Sequence, residues 1–478
     1  MFGSSYISAL RSLACYYPFG EISLLVETMT GFSAPIATLA QVLAAKLIDC
    51  APIADSSVTG ITTDTRMVQP GELFVALEGE TFNGHNFAQQ AIDKGAIAAV
   101  IRKGTLPQAQ FPRLEVDNTL SAYQALGHWW RQQKAVPVIA ITGSVGKTTT
   151  KELVAAALSK FGTVLKTQAN YNNEIGVPKT LLELSAAHNY AVVEMGMRGL
   201  EEIALLTQIA DPDVALITNV GTAHIGRLGS QAAIAQAKCE LLRELPVRGI
   251  AVLNYNDALL MSTAAKFWSG RQITYGLTGG DVQGQLVDGR LVVEGVALPL
   301  PLPGRHNALN FLSAIATLQA LHLDWKKLAE GITVSMPAGR AQRHPLPNDI
   351  LLLDETYNAG AEAMVAALQL LADQPGTRRI AVLGTMKELG DRSVPLHRHI
   401  GETVANLKID QLFILADPAE AEAMAAGAGA VQSRQFTSHS ELAERLQKTV
   451  RAGDRILFKA SRSVAMDKVV DQLLQTHA

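Results

Sequence analysis

Cysteine is almost missing from this chain: Cys15, Cys50 and Cys239 are the only ones in 478 residues. Three scattered thiols exclude a disulfide framework and a CxxC metal site, and they fit a reducing, cytoplasmic compartment. Charge is also scarce, at 18% of residues, and balanced: Lys+Arg 41 against Asp+Glu 44 leaves a formal net charge of −3. Such a protein has no global field to gather nucleic acid or an anionic membrane, although a local phosphate site remains open. No run of about 18 apolar residues occurs, which argues against membrane insertion. The first 35 residues lack a basic start, an apolar block and a small-residue cleavage site, so no secretory signal is expected. They fit no element and are expected to form a partly disordered extension.

What the chain has is a 48% hydrophobic composition, enough for several full cores. At about 150 residues per domain its length suggests roughly three domains. Residues 36–135 read as a small α/β domain, with helical spacing over 37–47, 86–96 and 121–133 and strands over 71–77 and 97–101. Residues 136–335 follow a strand–helix rhythm. VPVIAIT (136–142) is continuously apolar, as expected of a strand buried on both faces of a parallel sheet. Further strands are expected at 162–167, 190–195, 214–220 and 250–255. A small β meander over 270–300 and a long helix over 304–321 follow. Residues 336–478 carry four apolar strands, DILLLDE, RRIAVLG, QLFILA and DRILFKA, with amphipathic helices between them. That pattern indicates a second, Rossmann-like open sheet. The fold class is therefore α/β in three domains, the middle one of phosphate-loop ATPase type with a mostly parallel sheet.

The sharpest motif is ITGSVGKTTTKE, residues 141–152. It follows a buried strand and opens a helix. Gly143 and Gly146 let the backbone turn so that the amides of Gly143, Ser144, Val145, Gly146, Lys147, Thr148 and Thr149 can face phosphate oxygens. The helix N-terminus adds partial positive charge. Lys147 would reach the terminal phosphates and the Thr148 hydroxyl would ligate Mg²⁺. A full Walker A would carry Gly at position 141, where Ile141 stands. Glu194 closes the strand YAVVE, where ligands of open α/β sheets collect, and His224 follows the next strand in NVGTAH. Lys238 lies on the alanine-rich helix beyond. Taken singly, Glu194 would equally serve as a cap, His224 as a loop histidine and Lys238 as a solvated charge. Their joint placement around one phosphate loop favours nucleotide chemistry.

TGSVGKTTTKE, NYNNEIGVP (170–178), EMGMRG (194–199), NVGTAHIGRLGS (219–230) and GRHNALN (304–310) occur in the order of the Mur ligases. So do DETYNA (354–359), LGTMKELGDRS (383–393) and KASR (459–462). The chain from about residue 36 onward resembles that family of ATP-dependent amide-forming enzymes. TDTR and PGELF, with NGHNF, resemble its nucleotide-sugar domain. DETYNA and MKELG resemble the branch that joins D-Ala-D-Ala to UDP-N-acetylmuramoyl-tripeptide. The DNPR signature of the diaminopimelate-adding branch does not occur, and folylpolyglutamate synthases would lack the first domain. A nucleotide-dependent switch without ligation is the reading from another class, and it would leave Glu194, His224 and Lys238 dispensable.

The resemblance implies activation of the tripeptide carboxylate by ATP as an acyl phosphate, then attack by the dipeptide amine. It implies Thr148 and Glu194 on the nucleotide Mg²⁺, His224 on a second Mg²⁺, and Lys238 as an N-carbamate that turns a cation into a metal ligand. Asn307 and Asn310 would contact adenine, Arg340 the ATP phosphates, and Asp354 or Glu355 the ribose. Asp64, Thr65 and Arg66 would bind the UDP moiety, and Lys459, Ser461 and Arg462 the substrate. The enzyme would act as a cytoplasmic monomer. Four departures stand out: Glu355, Thr356, Gly360 and Ala361 where the family usually has Asp, Ser, Asn and Pro. Asn83 replaces the usual Asp, Thr65 the usual Ser and Ala460 the usual Gly.

Overall fold

The computed structural model describes residues 31–477. The expected extension lies outside the described residues up to position 30, as does Cys15. Positions 34–35 depart from it: Ala34–Pro35 form a short strand, β1, paired antiparallel with β3 (Ser57–Val58). The helix expected over 37–47 ends early, at Ile36–Val42. Ala44 takes a left-handed φ of +45°, and β2 (Lys46–Ile48) then leaves to pair with β7 (Arg113–Val116).

The fold class is α/β. Alongside β1 and β3, the N-terminal segment builds a five-stranded sheet in the order β2-β7-β6-β5-β4, where β4 is Ile61–Thr62, β5 Leu73–Val75 and β6 Ala98–Arg102. The middle segment supplies β8 (Val138–Thr142), β9 (Val164–Lys166), β10 (Tyr190–Glu194), β11 (Val214–Ile217), β12 (Ile250–Asn254) and β13 (Gln272–Gly276). The meander adds β14 (Val282–Val287), β15 (Arg290–Val293) and β16 (Val296–Pro299), and the sheet order is β16-β15-β14-β13-β12-β11-β8-β10-β9. β11, β12 and β13 pair in parallel, and β14 to β16 pair antiparallel. All five residues of β8 are buried, as its unbroken apolar run requires.

The last sheet runs β17-β18-β22-β19-β20-β21, with β17 Gln342–Leu346, β18 Ile350–Asp354, β19 Arg378–Gly384, β20 Gln411–Leu415, β21 Gln432–Gln435 and β22 Asp454–Lys459. Its four apolar strands sit at the centre and its two polar ones at the edges. Ile380, Val382, Phe413, Ile456 and Phe458 of the central strands pack with Leu442, Leu446, Val469 and Leu473 of flanking helices into one core. By contact the chain forms two compact units. One holds the described residues through Ile139 with Gly162–Val193 and Leu205–Pro212, and the other holds Ala140–Phe161, Glu194–Ala204 and the chain from Asp213 onward. Every residue of the phosphate-loop cluster discussed below belongs to the second unit.

His397, which follows the MKELG motif, is a structural residue. It is wholly buried on the helix Ser393–Asn406. Its Nε2 accepts the Met386 amide at 2.9 Å, and Nδ1 lies 2.8 Å from the Ser393 carbonyl. That pairing fits only the neutral ring protonated on Nδ1. Burial holds its pKa below the ordinary 6.5, against the opposing pull of Glu420 and Asp417. A depressed folded-state pKa means that the unfolded chain binds the proton more readily, so stability is present above about pH 6.5 and is lost as pH falls. His85, His188, His224 and His306 are shifted the same way. Denaturant unfolding at pH 7.5 and 5.5 should therefore show weakening on acidification. An H397Q variant, whose amide oxygen can still accept the Met386 N–H, should lose up to about 1.4 kcal/mol per pH unit of that slope. Identical slopes in the two proteins would contradict the assignment.

Candidate active site

The site grows from the end of β8. The strand ends at Thr142, and position 143 must be glycine because a Cβ there would lie 1.8 Å from Thr218 Oγ1. The chain turns left-handed at Gly146 (φ +81°) and enters the helix Lys147–Leu158. A Cβ on Gly146 would meet Asn310 Oδ1 at 3.0 Å, so the asparagine side chain lies directly against the loop. The first helical amides have no intrahelical acceptor and mark an anion site.

The loop is held from one side. Ser144 N–H donates to Asn219 O at 3.0 Å, and Val145 N–H donates to Asn219 Oδ1 at 3.0 Å. Asn219 Nδ2 returns a bond to Val145 O at 2.9 Å, where Thr218 Oγ1 also donates at 2.7 Å. Ser144 Oγ accepts from Gly221 N at 2.8 Å. Asn254 and Asp257 brace this second segment in turn, donating to Thr218 O at 2.9 Å and accepting from Val220 N at 2.6 Å.

Lys147 is half-buried and curls onto its own loop, with Nζ donating to Gly143 O at 2.8 Å and Ser144 O at 3.4 Å. Desolvation lowers its pKa; Glu194 opposes the shift and Arg340 adds to it. Thr148 Oγ1 donates to Glu194 Oε2 at 2.9 Å, with both residues buried. Adjacent ligands of an octahedral Mg²⁺ with bonds of about 2.1 Å lie about 3 Å apart, so this pair of oxygens fits that ion. Among the described residues no cluster of three or more His, Cys, Asp or Glu could hold a metal. Mg²⁺ needs no such cluster, since it takes one or two protein oxygens and leaves the rest to phosphates and water.

His224 sits at a left-handed φ of +66° before the short helix Ile225–Leu228. Its Nδ1 lies 2.6 Å from Glu388 Oε2, off the line of an aligned hydrogen bond. Burial lowers its pKa; Glu388 opposes, and Lys147 and Lys238 contribute. Lys238 is 1% exposed on the helix Gln231–Arg243, and no carboxylate among the described residues pairs with it. Desolvation first, and Lys147 second, push its pKa well below the usual range. A neutral amine is the form that can add to CO₂.

Asn307 and Asn310 share a face of the helix Arg305–Ala320. Asn307 Nδ2 donates to Pro303 O at 2.8 Å, and Asn310 Nδ2 reaches Asn307 Oδ1 at 3.4 Å. Arg340 stacks on Tyr357, 4.0 Å from the ring centroid. Glu355 Oε1 accepts from Ala341 N at 3.2 Å, and its Oε2 lies 3.8 Å from Lys459 Nζ. Desolvation raises the Glu355 pKa against the pull of Lys459, and lowers that of Lys459. Asp354 turns inward instead: its Oδ1 accepts from Thr356 N at 3.0 Å and Thr356 Oγ1 at 2.6 Å. Ser461 is buried and its Oγ accepts from Lys387 N at 2.9 Å, whereas Arg462 is exposed and paired with Asp467 at 2.9 Å. In the other unit, Asp64 and Arg66 form an exposed two-point ion pair, with Nε–Oδ1 at 2.9 Å and Nη2–Oδ2 at 2.6 Å. The Arg66 hydrogen bonds hold Asp64 down at about 2. Thr65 Oγ1 lies 3.4 Å from Gln90 Oε1.

The sequence reading missed Asn219, Glu362, Glu388 and His306. Asn219 opens the NVGTAH motif and Glu388 lies inside MKELG, so both stood within quoted motifs. His306 belongs to GRHN, and burial with Lys459 nearby lowers it to about 4. Glu362 carried no signal. It accepts from Thr222 N at 2.7 Å and Thr222 Oγ1 at 3.2 Å, a contact across 140 positions of sequence.

Comparison with known proteins agrees with this geometry. Profiles of the Mur ligase middle domain, of the Mur ligase glutamate ligase domain and of the Mur ligase family catalytic domain match residues 141–318, 339–462 and 57–130. A UDP-N-acetylmuramoyl-tripeptide–D-alanyl-D-alanine ligase of Synechocystis is 54% identical over 421 residues, 88% of this chain and 93% of that protein. The Escherichia coli protein of the same name is 37% identical over 434 residues, 88% of this chain and 94% of its own. A crystal structure of MurF from Acinetobacter baumannii superposes with a TM-score of 0.84 at 31% identity, covering 94% of this chain and all of that one. MurF of Thermotoga maritima in complex with ADP gives 0.77 at 28% identity, covering 88% and 98%. The chain belongs to the Mur ligase family.

Proposed function

We propose that this enzyme joins D-Ala-D-Ala to UDP-N-acetylmuramoyl-tripeptide at the expense of ATP, giving the pentapeptide precursor of peptidoglycan, ADP and phosphate. The observation that carries the reading is the Thr148–Glu194 oxygen pair at the mouth of a braced phosphate loop. The relatives' names and the order of the motifs supply the substrates. The amides of Ser144 and Val145 are already taken by Asn219, so those from Gly146 to Thr149 would cradle the triphosphate while Lys147 exchanges its carbonyl partners for phosphate oxygens, a stronger charge-assisted bond. Thr148 and Glu194 would hold Mg²⁺, with His224 and Lys238 serving a second ion. Bound there, the metal supplies charge neutralisation for phosphoryl transfer.

The tripeptide carboxylate oxygen attacks the γ-phosphorus, and ADP leaves. The amine of D-Ala-D-Ala then attacks the carbonyl carbon of the acyl phosphate, loses a proton, and phosphate departs from the tetrahedral adduct. The chain contributes positioning and electrostatics rather than a covalent nucleophile. Asn307 and Asn310 would contact adenine, with Arg340 at the phosphates and Glu355 at the ribose. Asp354, already bonded to Thr356, is the less available of the two carboxylates. Asp64, Thr65 and Arg66 would take the UDP group, and Lys459, Ser461 and Arg462 the peptide end. Segments 36–135, 136–335 and 336–478 would divide these tasks. That reaction would take place in the cytoplasm, where its nucleotide substrates are. No helix among the described residues is long and apolar enough to cross a membrane.

Phosphate release from ATP should require both UDP-N-acetylmuramoyl-tripeptide and D-Ala-D-Ala, with the pentapeptide seen by mass. Lys147→Ala and Glu194→Gln should each abolish it. Turnover with a single amino acid in place of the dipeptide would move the chain to a sister ligase. An N219D variant replaces the donor to Val145 O with an acceptor and adds charge beside the phosphates. Its ADP affinity, read by calorimetry, should fall by about 1–3 kcal/mol, roughly fivefold to 150-fold; unchanged binding would show that Asn219 does not set the loop. With ¹³C-bicarbonate, the wild-type protein should show a carbamate carbonyl resonance that K238R lacks. Absence of that signal in the wild type would remove the carbamate from the mechanism.

A further inference from the structure

His224 is gripped by a segment far along the chain. The Glu388–Gly390 turn lies on the 221–226 loop: Gly226 N–H donates to Glu388 O at 3.2 Å. A Cβ on Gly226 would lie 2.5 Å from Gly390 N, and one on Gly390 would lie 2.9 Å from Gly226 Cα. Only two glycines allow backbones to meet so closely. Glu388 and His224 both hold left-handed φ, +65° and +66°, which non-glycine residues rarely adopt without support from their surroundings. Across this contact Glu388 Oε2 lies 2.6 Å from His224 Nδ1, while Oε1 lies 3.7 Å from Arg227 Nη2. Glu362 holds the same loop two residues earlier, through the Thr222 amide and hydroxyl.

We propose that Glu388 is the positioning residue of His224, holding the imidazole through Nδ1 so that Nε2 is presented to the ligand site. A carboxylate can only accept, so it selects the neutral tautomer with the proton on Nδ1 and leaves the lone pair on Nε2. Nδ1 makes no aligned hydrogen bond in this structure, so the proposal requires the ring to rotate until its N–H points at Oε2. Imidazoles that ligate metals are commonly oriented in this way by a carboxylate on the far nitrogen. The inference rests on the ligase reading only for the step that His224 serves.

The test uses the full-length enzyme labelled with ¹⁵N-histidine, in wild type, E388A and E388Q. The His224 resonances are assigned from their loss in H224Q. Wild type should show Nδ1 protonated and Nε2 bare, and E388A should show a tautomer mixture. In E388A, kcat should fall by about 10- to 100-fold with little change in KM for ATP. E388Q, whose amide oxygen still accepts the Nδ1 proton, should keep the tautomer and recover most of that loss. The proposal is overturned if E388A retains the wild-type tautomer. It is also overturned if E388A and E388Q lose kcat equally, which would mark a packing contact only. A wild type that fails to turn over with D-Ala-D-Ala would refute the ligase reading, while the tautomer comparison would still decide the role of Glu388.

Discussion

Asn219 and Val145 close a two-point ring, amide to side-chain oxygen at 3.0 Å and side-chain nitrogen to carbonyl at 2.9 Å. A glycine-rich loop has little stiffness of its own, and its conformational entropy opposes any single shape. Here the shape comes from outside, from a segment that follows the neighbouring strand β11. Thr218 supplies both a bond to Val145 O and the hydroxyl whose closeness demands glycine at 143. The same segment continues through Gly221 and Thr222 to His224. Loop and histidine thus share one support, and a shift of the 218–224 segment would displace both.

That support is fixed at several points. Asn254 and Asp257 hold its start, and Glu362 and Glu388 hold its end. Asn254 ends β12, the next strand of the same sheet, and Asp257 follows it. The last two follow β18 and β19 of the last sheet. The histidine is therefore placed by the C-terminal segment, whereas the phosphate loop is placed by the central sheet.

Much of this was legible in the sequence. Lys147, Thr148 and Glu194 could be placed because a motif coincided with a strand end, and strand ends in parallel sheets are where backbone and ligand meet. The central strands β18, β19, β20 and β22 declared themselves by continuous apolar runs. The edges did not. β21 reads Gln-Ser-Arg-Gln and is exposed throughout, and β17 contains Pro345, tolerated at an edge because no ladder bond is needed there. The helix over 37–47 was overextended because periodicity cannot see the left-handed turn at Ala44. Glu362 and Glu388 escaped for a different reason. Their partners lie 140 and more positions away, and no local pattern encodes a contact made by packing.

The charge pattern explains why so many cations can crowd one place. Lys147, Lys238 and Arg340 act on one another or on His224, and desolvation lowers both lysines. A group of like charges removed from water is unfavourable unless it is matched or neutralised. Glu194 and Glu388 offset part of it, on Lys147 and His224 respectively. For Lys238, burial first and Lys147 second favour the neutral form. A site in that condition is complementary to a polyanion. This makes the phosphate loop, the histidine and the buried lysine parts of one electrostatic arrangement rather than three adjoining motifs.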